Sequence, residues 1–162
     1  MKAIFAGSFD PPTCGHEDII LRAASLFDTL YVVVAENGAK MPFFSMEERI
    51  RLLTEIAKSH QLSNVIVARA EGLLVSFARE HGCLVLVRSI RNSRDLMYEQ
   101  NMASMNRRLD PEIDTVFLPA RHELADISSS AVRELIALGK LPDGIVPLIV
   151  RKAIKNRYGL LT

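Results

Sequence analysis

Residues 7–16 read Gly7-Ser8-Phe9-Asp10-Pro11-Pro12-Thr13-Cys14-Gly15-His16, directly behind the apolar run Ala3-Ile4-Phe5-Ala6 and directly ahead of an amphipathic stretch that begins near His16. Strand, tight loop and helix in that order make an anion site. Gly7 and Gly15 allow close approach of a ligand or dihedrals that a side chain forbids, and Pro11 and Pro12 stiffen the turn between them. A helix starting after Gly15 aims its free amides and positive dipole end back into the loop, with His16 placed where negative charge would collect. The same residues also suit a stiff connection whose histidine merely starts a helix, and segments further along the chain discriminate between the two.

Working outward, apolar runs rich in β-branched residues recur at Ala3 to Ala6, Tyr31 to Ala35, Val65 to Ala68, Leu84 to Val87 and Thr115 to Leu118, each the pattern of a buried strand. Between them the period becomes helical: Ile19, Ala23, Phe27; Met46, Ile50, Leu53, Ala57; Leu74, Phe77, Ala78, His81; Met102, Met105, Leu109. Such alternation predicts an α/β protein, a Rossmann-like, doubly wound five-stranded parallel sheet with helices on both faces. Its ligand crevice belongs at the carboxyl ends of the strands. Ser45 with Glu48 forms a capping box, and Ser128 or a neighbouring serine caps a helix through Val132, Leu135 and Ile136. The run Gly139-Lys140-Leu141-Pro142-Asp143-Gly144 stops that helix, and Val146, Ile149, Val150, Ala153 and Ile154 start a C-terminal one. With no repeat or linker, residues 1–162 read as one domain.

A chain of 162 residues can bury a core, hiding roughly 70% of the surface its unfolded form exposes, without a metal or disulfide to staple it. The net charge of +1 supplies no global field for nucleic acid or an anionic membrane, so any anion specificity is local. Cys14 and Cys83 fit no zinc spacing, and the longest apolar run falls far short of the ~20 residues of a membrane helix. A cytoplasmic location is expected.

Three more segments carry chemistry. Arg88-Ser89-Ile90-Arg91 follows the strand ending at Val87, so two guanidinium forks leave the sheet at its carboxyl edge, either as solvated loop arginines or as partners for phosphate oxygens. Asp95 and Glu99, four apart on the next helix, can pair with those arginines or accept hydrogen bonds from a ribose or base. Ile127-Ser128-Ser129-Ser130 opens a helix, as a plain cap or as a second anion cradle. Lys40, between Gly38 and Pro42, is a phosphate ligand or a solvated lysine. His60, His81 and His122 suit core or surface roles, Met102 and Met105 fill core space or meet a neighbouring subunit, and Cys14 has no partner to activate it.

Thr13-x-Gly-His16 after a first strand resembles the signature of the nucleotidylyltransferases. Lys40, Arg88-x-x-Arg91 followed by Met97-Tyr98-Glu99, and Ile127-Ser128-Ser129-Ser130, in that order, resemble the phosphopantetheine adenylyltransferases from end to end. Ser45-Met46-Glu47-Glu48-Arg49, Phe77-Ala78-Arg79 and Met105-Asn106-Arg107 strengthen the likeness. The resemblance implies reversible transfer of the adenylyl group of ATP to 4'-phosphopantetheine, with Mg2+, giving dephospho-coenzyme A and pyrophosphate. It also implies a homohexamer and feedback inhibition by coenzyme A. On that carry-over Ser8, Lys40, Leu74 and Arg88 hold phosphopantetheine, while Ser8, Phe9, His16, Ser89, Ile90, Arg91, Glu99 and Leu124, Ala125, Asp126, Ile127, Ser128, Ser129 and Ser130 hold ATP. His16 is then the transition-state stabiliser, and the metal rides on the nucleotide phosphates rather than on side chains.

The chain departs from the family pattern at Ser8 for threonine, Cys14 for asparagine, Ser89 for glycine, and Leu124-Ala125-Asp126 for an aromatic, a serine and a second aromatic. An inward-pointing Asp126 would repel phosphate. Relatives acting on nicotinate mononucleotide or glycerol-3-phosphate share the first loop and the serine run, but usually carry histidine where Thr13 stands. A non-catalytic nucleotide or coenzyme A sensor is the reading from another class.

Overall fold

The computed structural model describes residues 1–35 and 41–159; Lys40 lies outside them. Five strands, β1 (Lys2–Gly7), β2 (Thr29–Ala35), β3 (Val65–Ala70), β4 (Val85–Ile90) and β5 (Asp114–Pro119), form one sheet in the order β3-β2-β1-β4-β5. Every neighbouring pair is parallel, so the carboxyl ends share one edge. The helices are α1 (Cys14–Leu26), α2 (Met46–Ser59), α3 (Leu74–Glu80), α4 (Ser93–Leu109), α5 (Ser129–Ala137) and α6 (Leu148–Tyr158). A 3-10 turn at His122–Leu124, which the sequence pattern did not predict, follows β5.

Successive β1 side chains face opposite sides of the sheet, as a pleated strand requires. Ala3 and Phe5 enter a core with Ile19, Ile20 and Ala23 of α1, Leu52, Leu53 and Ile56 of α2, Val132 and Ile136 of α5, and Val150 and Ile154 of α6. Ile4 and Ala6 enter the opposite core with Val33, Val75, Phe77, Ala78, Leu86 and Ile113. The second face is thinly covered, since α4 buries none of its residues. That corrects one expectation: Met102 and Met105 are 40% and 53% exposed and fill no core space in the subunit.

The strand order reverses between β1 and β4. Their pairing stops at Phe5 opposite Val87, although β1 runs on to Gly7 and β4 to Ile90. The two strands part there and open a crevice at the switch point where open α/β sheets bind ligands. Arg88, Ser89 and Ile90 prove to be strand residues opposite Phe117, Leu118 and Pro119 of β5. The expected strand end at Val87 was three residues early because arginine and serine carry little strand signal of their own.

Candidate active site

The crevice is a cavity of about 340 Å3 lined by Phe5 to Ser8 of β1 and its loop, Thr13, Gly15 and His16 at the start of α1, and Arg88, Ser89 and Arg91 at the end of β4. Asp95, Tyr98 and Glu99 of α4 line it too, with Ala120, Leu124, Ile127, Ser128 and Ser129 on the fourth side. The glycine loop, the paired arginines and the serine run, dispersed in sequence, therefore meet at one rim.

His16 is held by its own helix start. Thr13 is the N-cap of α1, its hydroxyl accepting the His16 amide at 3.3 Å while its own amide donates to His16 Nδ1 at 3.0 Å. This is a capping box with histidine in the place usually taken by glutamate or glutamine. An Nδ1 that accepts an amide hydrogen carries no proton, so the ring proton of the neutral imidazole lies on Nε2. Burial, helped by the nearby Arg91 guanidinium, lowers the imidazole pKa from 6.5 to about 4. His16 is thus a neutral, fixed Nε2–H donor at physiological pH.

Phe9 supports the ring from beneath the surface. It is fully buried, meets His16 edge-on at 4.9 Å and Phe5 at 5.4 Å, and adopts a left-handed backbone with φ 48°. The unusual dihedral expected of the loop glycines falls on Phe9 instead. Gly7 serves close approach, since a Cβ there would press on the Phe9 ring at 3.3 Å. At Gly15 a Cβ would make only ordinary contacts, 3.8 and 3.9 Å from the Leu124 and Ile127 carbonyls, so the fold of the chain does not itself demand glycine there.

Both arginines are paired with carboxylates of α4. Arg88 donates through Nε and Nη2 to the two oxygens of Glu99, each at 2.7 Å, and through Nη1 to the Ala6 carbonyl at 2.9 Å. That carbonyl lies just past the point where β1 and β4 cease to pair. Arg91 holds Asp95 at 2.7 and 3.2 Å, and this bonding keeps the Asp95 carboxyl below its ordinary range. The carboxylates that the sequence left between pairing and ligand contact are engaged by arginine here, which aims both guanidiniums for an anion that can compete for them.

The serine run divides its labour. Ser128 caps α5 by accepting the Ala131 amide at 3.1 Å, Ser129 donates to the Pro11 carbonyl at 2.8 Å, and Ser130 accepts from Arg133 at 3.1 Å. Only the first two line the cavity. Of the other expected site residues, Ser8, Ser89, Leu124 and Ile127 lie on the wall, whereas Ile90, Ala125 and Asp126 do not, and Asp126 is exposed. Leu74 begins α3 and packs beside the second core, away from the cavity. Cys14, beside His16, is buried enough, and near enough to Glu17, that its thiol is pushed up to about 11 and stays protonated.

Sequence reasoning passed over the residues that hold this wall in place. Asp18 of α1 binds Arg22 at 3.0 Å and Arg121 at 2.7 Å, and Arg22 also donates to the Pro119 carbonyl, so the segment after β5 is tied to α1. Arg49, 5% exposed, donates to the Ser8 carbonyl at 2.8 Å. Apart from the i,i+4 pair Asp18–Arg22, these contacts span tens of residues, and no periodicity announces them.

A family model described as cytidylyltransferase-like matches residues 4–135. The phosphopantetheine adenylyltransferase of Symbiobacterium thermophilum is 46% identical over 158 residues, which span 98% of this chain and 96% of that one. Among solved structures, the nicotinic acid mononucleotide adenylyltransferase of Plasmodium falciparum complexed with NaAD superposes with a TM-score of 0.68 at 19% identity, over 99% of this chain and 98% of its own. The lipopolysaccharide core biosynthesis protein of Thermoplasma volcanium gives 0.54 at 23% identity, over 75% and 96%. These two share the fold.

Proposed function

Since the chain belongs to the cytidylyltransferase-like family and, within it, to the phosphopantetheine adenylyltransferases, we propose how its own residues carry out the transfer. The enzyme moves the adenylyl group of ATP to 4'-phosphopantetheine, giving dephospho-coenzyme A and pyrophosphate. The observation that carries the residue assignment is the meeting of His16, Arg88, Arg91 and the Ser128–Ser129 helix start around one cavity.

A phosphomonoester holds about −1.5 to −2 charge near neutral pH and attacks the α-phosphorus unaided. No side chain must act as nucleophile or base. The protein brings two anions into line and spreads the charge that develops on the α-phosphoryl oxygens and the departing pyrophosphate. Ser8, Lys40 and Arg88 hold the phosphomonoester, and Leu74 takes its apolar arm. The Nε2–H of His16 donates to the α-phosphoryl oxygen as charge builds, with no proton transferred. A neutral donor suits this step, because it strengthens with the charge and releases product without a fixed ion pair. Arg91, Ser128 and Ser129 steady the pyrophosphate side; Ser89, Glu99, Leu124 and Ile127, which line the cavity, hold the nucleotide.

Mg2+ is the proposed cofactor, supplying charge neutralisation on the triphosphate. The cavity carboxylates Asp95 and Glu99 are bound by arginine, and the proposal puts the ion on the nucleotide phosphates rather than on side chains. The reading includes a homohexamer, supported by the exposed apolar residues Met97, Tyr98, Met102, Met105 and Leu109 of the unburied α4. Coenzyme A, which joins the features of both reactants, is the proposed feedback inhibitor. Residues 1–162 act as one domain in the cytoplasm; no helix among the described residues is long and apolar enough to cross a membrane.

Pyrophosphate release measured side by side with phosphopantetheine, nicotinate mononucleotide and glycerol-3-phosphate tests the assignment. Phosphopantetheine is the acceptor expected to dominate, by at least about 100-fold in kcat/KM where a buried polar set discriminates. Equal or better use of another acceptor would overturn it.

A further inference from the structure

Asp10 stands in the middle of a loop built to receive phosphates, where a carboxylate is out of place. It is 8% exposed, yet it does not line the cavity. Its two oxygens are turned the other way and each accepts one backbone amide, Oδ2 from Phe43 at 2.7 Å and Oδ1 from Phe44 at 2.8 Å. Two loop carbonyls are met by donors from outside the cavity wall, Ser8 by Arg49 and Asp10 by Arg133, while the Pro11 carbonyl is taken by Ser129 on the wall itself.

The receiving segment is itself held. Arg157, near the end of α6, donates to the Phe43 carbonyl at 2.6 Å and to Glu48 at 2.5 Å, and lies over the Phe44 ring at 4.9 Å. Tyr158 stacks on Phe43 with centroids 5.0 Å apart. A continuous set of contacts runs from the last helix through Phe43 and Phe44 to Asp10. The residue before Asp10 is Phe9, whose left-handed backbone persists only where neighbours over-determine it, and whose ring abuts His16.

We propose that Asp10 is a positioning residue for the adenylyl transfer: braced by α6 through Phe43 and Phe44, it pins Phe9 in its strained conformation and so fixes the imidazole of His16. Its charge never meets substrate. The inference rests on the assignment of His16 to the reaction, but its structural half can be read without substrate.

The test is Asp10→Asn in the full chain. Asparagine keeps the shape, but its amide group cannot accept the second backbone hydrogen. Expected are a kcat lower by roughly 10-fold or more, a KM for ATP within about threefold of the parent, and altered side-chain nitrogen shifts of His16 in the ligand-free protein. Partial unfolding also lowers apparent kcat at unchanged KM, so kcat is referred to the folded fraction measured by circular dichroism, and the His16 shifts then report whether the ring has moved in the folded protein. A folded Asp10→Asn protein with kcat within about twofold of the parent, or with unchanged His16 shifts, overturns the proposal. Should that variant fail to fold, Arg157→Met decides on the same readouts: a kcat loss of a few-fold with moved His16 shifts, reversed in part by Arg157→Lys, supports it, and unchanged kcat and shifts refute it. Failure of the parent to use phosphopantetheine would sink the functional assignment instead, and leave the nitrogen shifts to report on the loop.

Discussion

The loop from Gly7 to His16 and the helix α4 face the same cavity and are built on opposite terms. In the loop, Phe9, Asp10 and Thr13 are buried, and the Ser8, Asp10 and Pro11 carbonyls each find a side-chain donor. On α4 nothing is buried, and apolar side chains at Met97, Met102 and Met105 lie open. The loop is finished within one subunit, whereas α4 contributes Arg-bound carboxylates to the site while its own apolar face is unburied. Rigidity where charge must be met to a fraction of an ångström, and incompleteness where another surface can cover, are separate design needs. One sheet serves both by placing them on the two sides of a crevice.

The comparison breaks first at His16. His16→Ala removes the donor that the whole loop positions, and kcat should fall roughly 100-fold or more with KM little changed. Near-normal turnover in a steady-state assay would show that the loop is built for something else.

Acid titration sharpens the same side. Because the folded imidazole has a pKa of about 4 against 6.5 for an ordinary histidine, protonation of His16 adds no pH dependence to stability well above pH 6.5, where folded and unfolded forms are both neutral. As pH falls from 6.5 toward 4 the unfolded chain takes up the proton first and stability drops, by at most about 3 kcal/mol for a shift of that size. Denaturant melts from pH 7 to 4 should therefore slope less steeply for His16→Asn than for the parent. Equal slopes would mean that the ring is charged in the fold.

On the other side, Met102→Glu with Met105→Glu should lower the native mass seen by light scattering, while the subunit's own stability changes by only about 0.5 kcal/mol per substitution, as for surface sites. An unfolded variant would return those methionines to the core. The smallest effect belongs to Ser129→Ala, which loses one bond to the Pro11 carbonyl and about 1 kcal/mol of stability by chemical denaturation.

What the sequence disclosed follows the same division. The alternation of β-branched runs with helical stripes identified all five strands and their parallel arrangement, though not their order across the sheet, because buried strands leave a continuous apolar signature. Thr13, His16, Arg88 and Glu99 were legible as chemistry at the right edge. Three things were not. The continuation of β4 through Arg88 to Ile90 depends on β5 alongside it, since the residues themselves favour no strand. Met102 and Met105 carry a helical stripe that looks alike whether it meets a core or a neighbour. Asp10, Arg49 and Arg157 act across 33 to 114 residues of chain, through hydrogen bonds that leave no period behind.

The fork between Arg88 and Glu99 has a bearing on inhibitor chemistry. A phosphate mimic meets an Arg88 with three of its five N–H groups already given to Glu99 and the Ala6 carbonyl, and gains a paired contact through the Nε–Nη2 edge only by displacing the carboxylate. A compound bearing an amidinium could instead take the arginine's place on Glu99, leaving the guanidinium free to swing onto an acidic group of the same molecule. Zwitterions with opposite charges a few bonds apart would thus match both halves of this fork, where a polyanion matches only one.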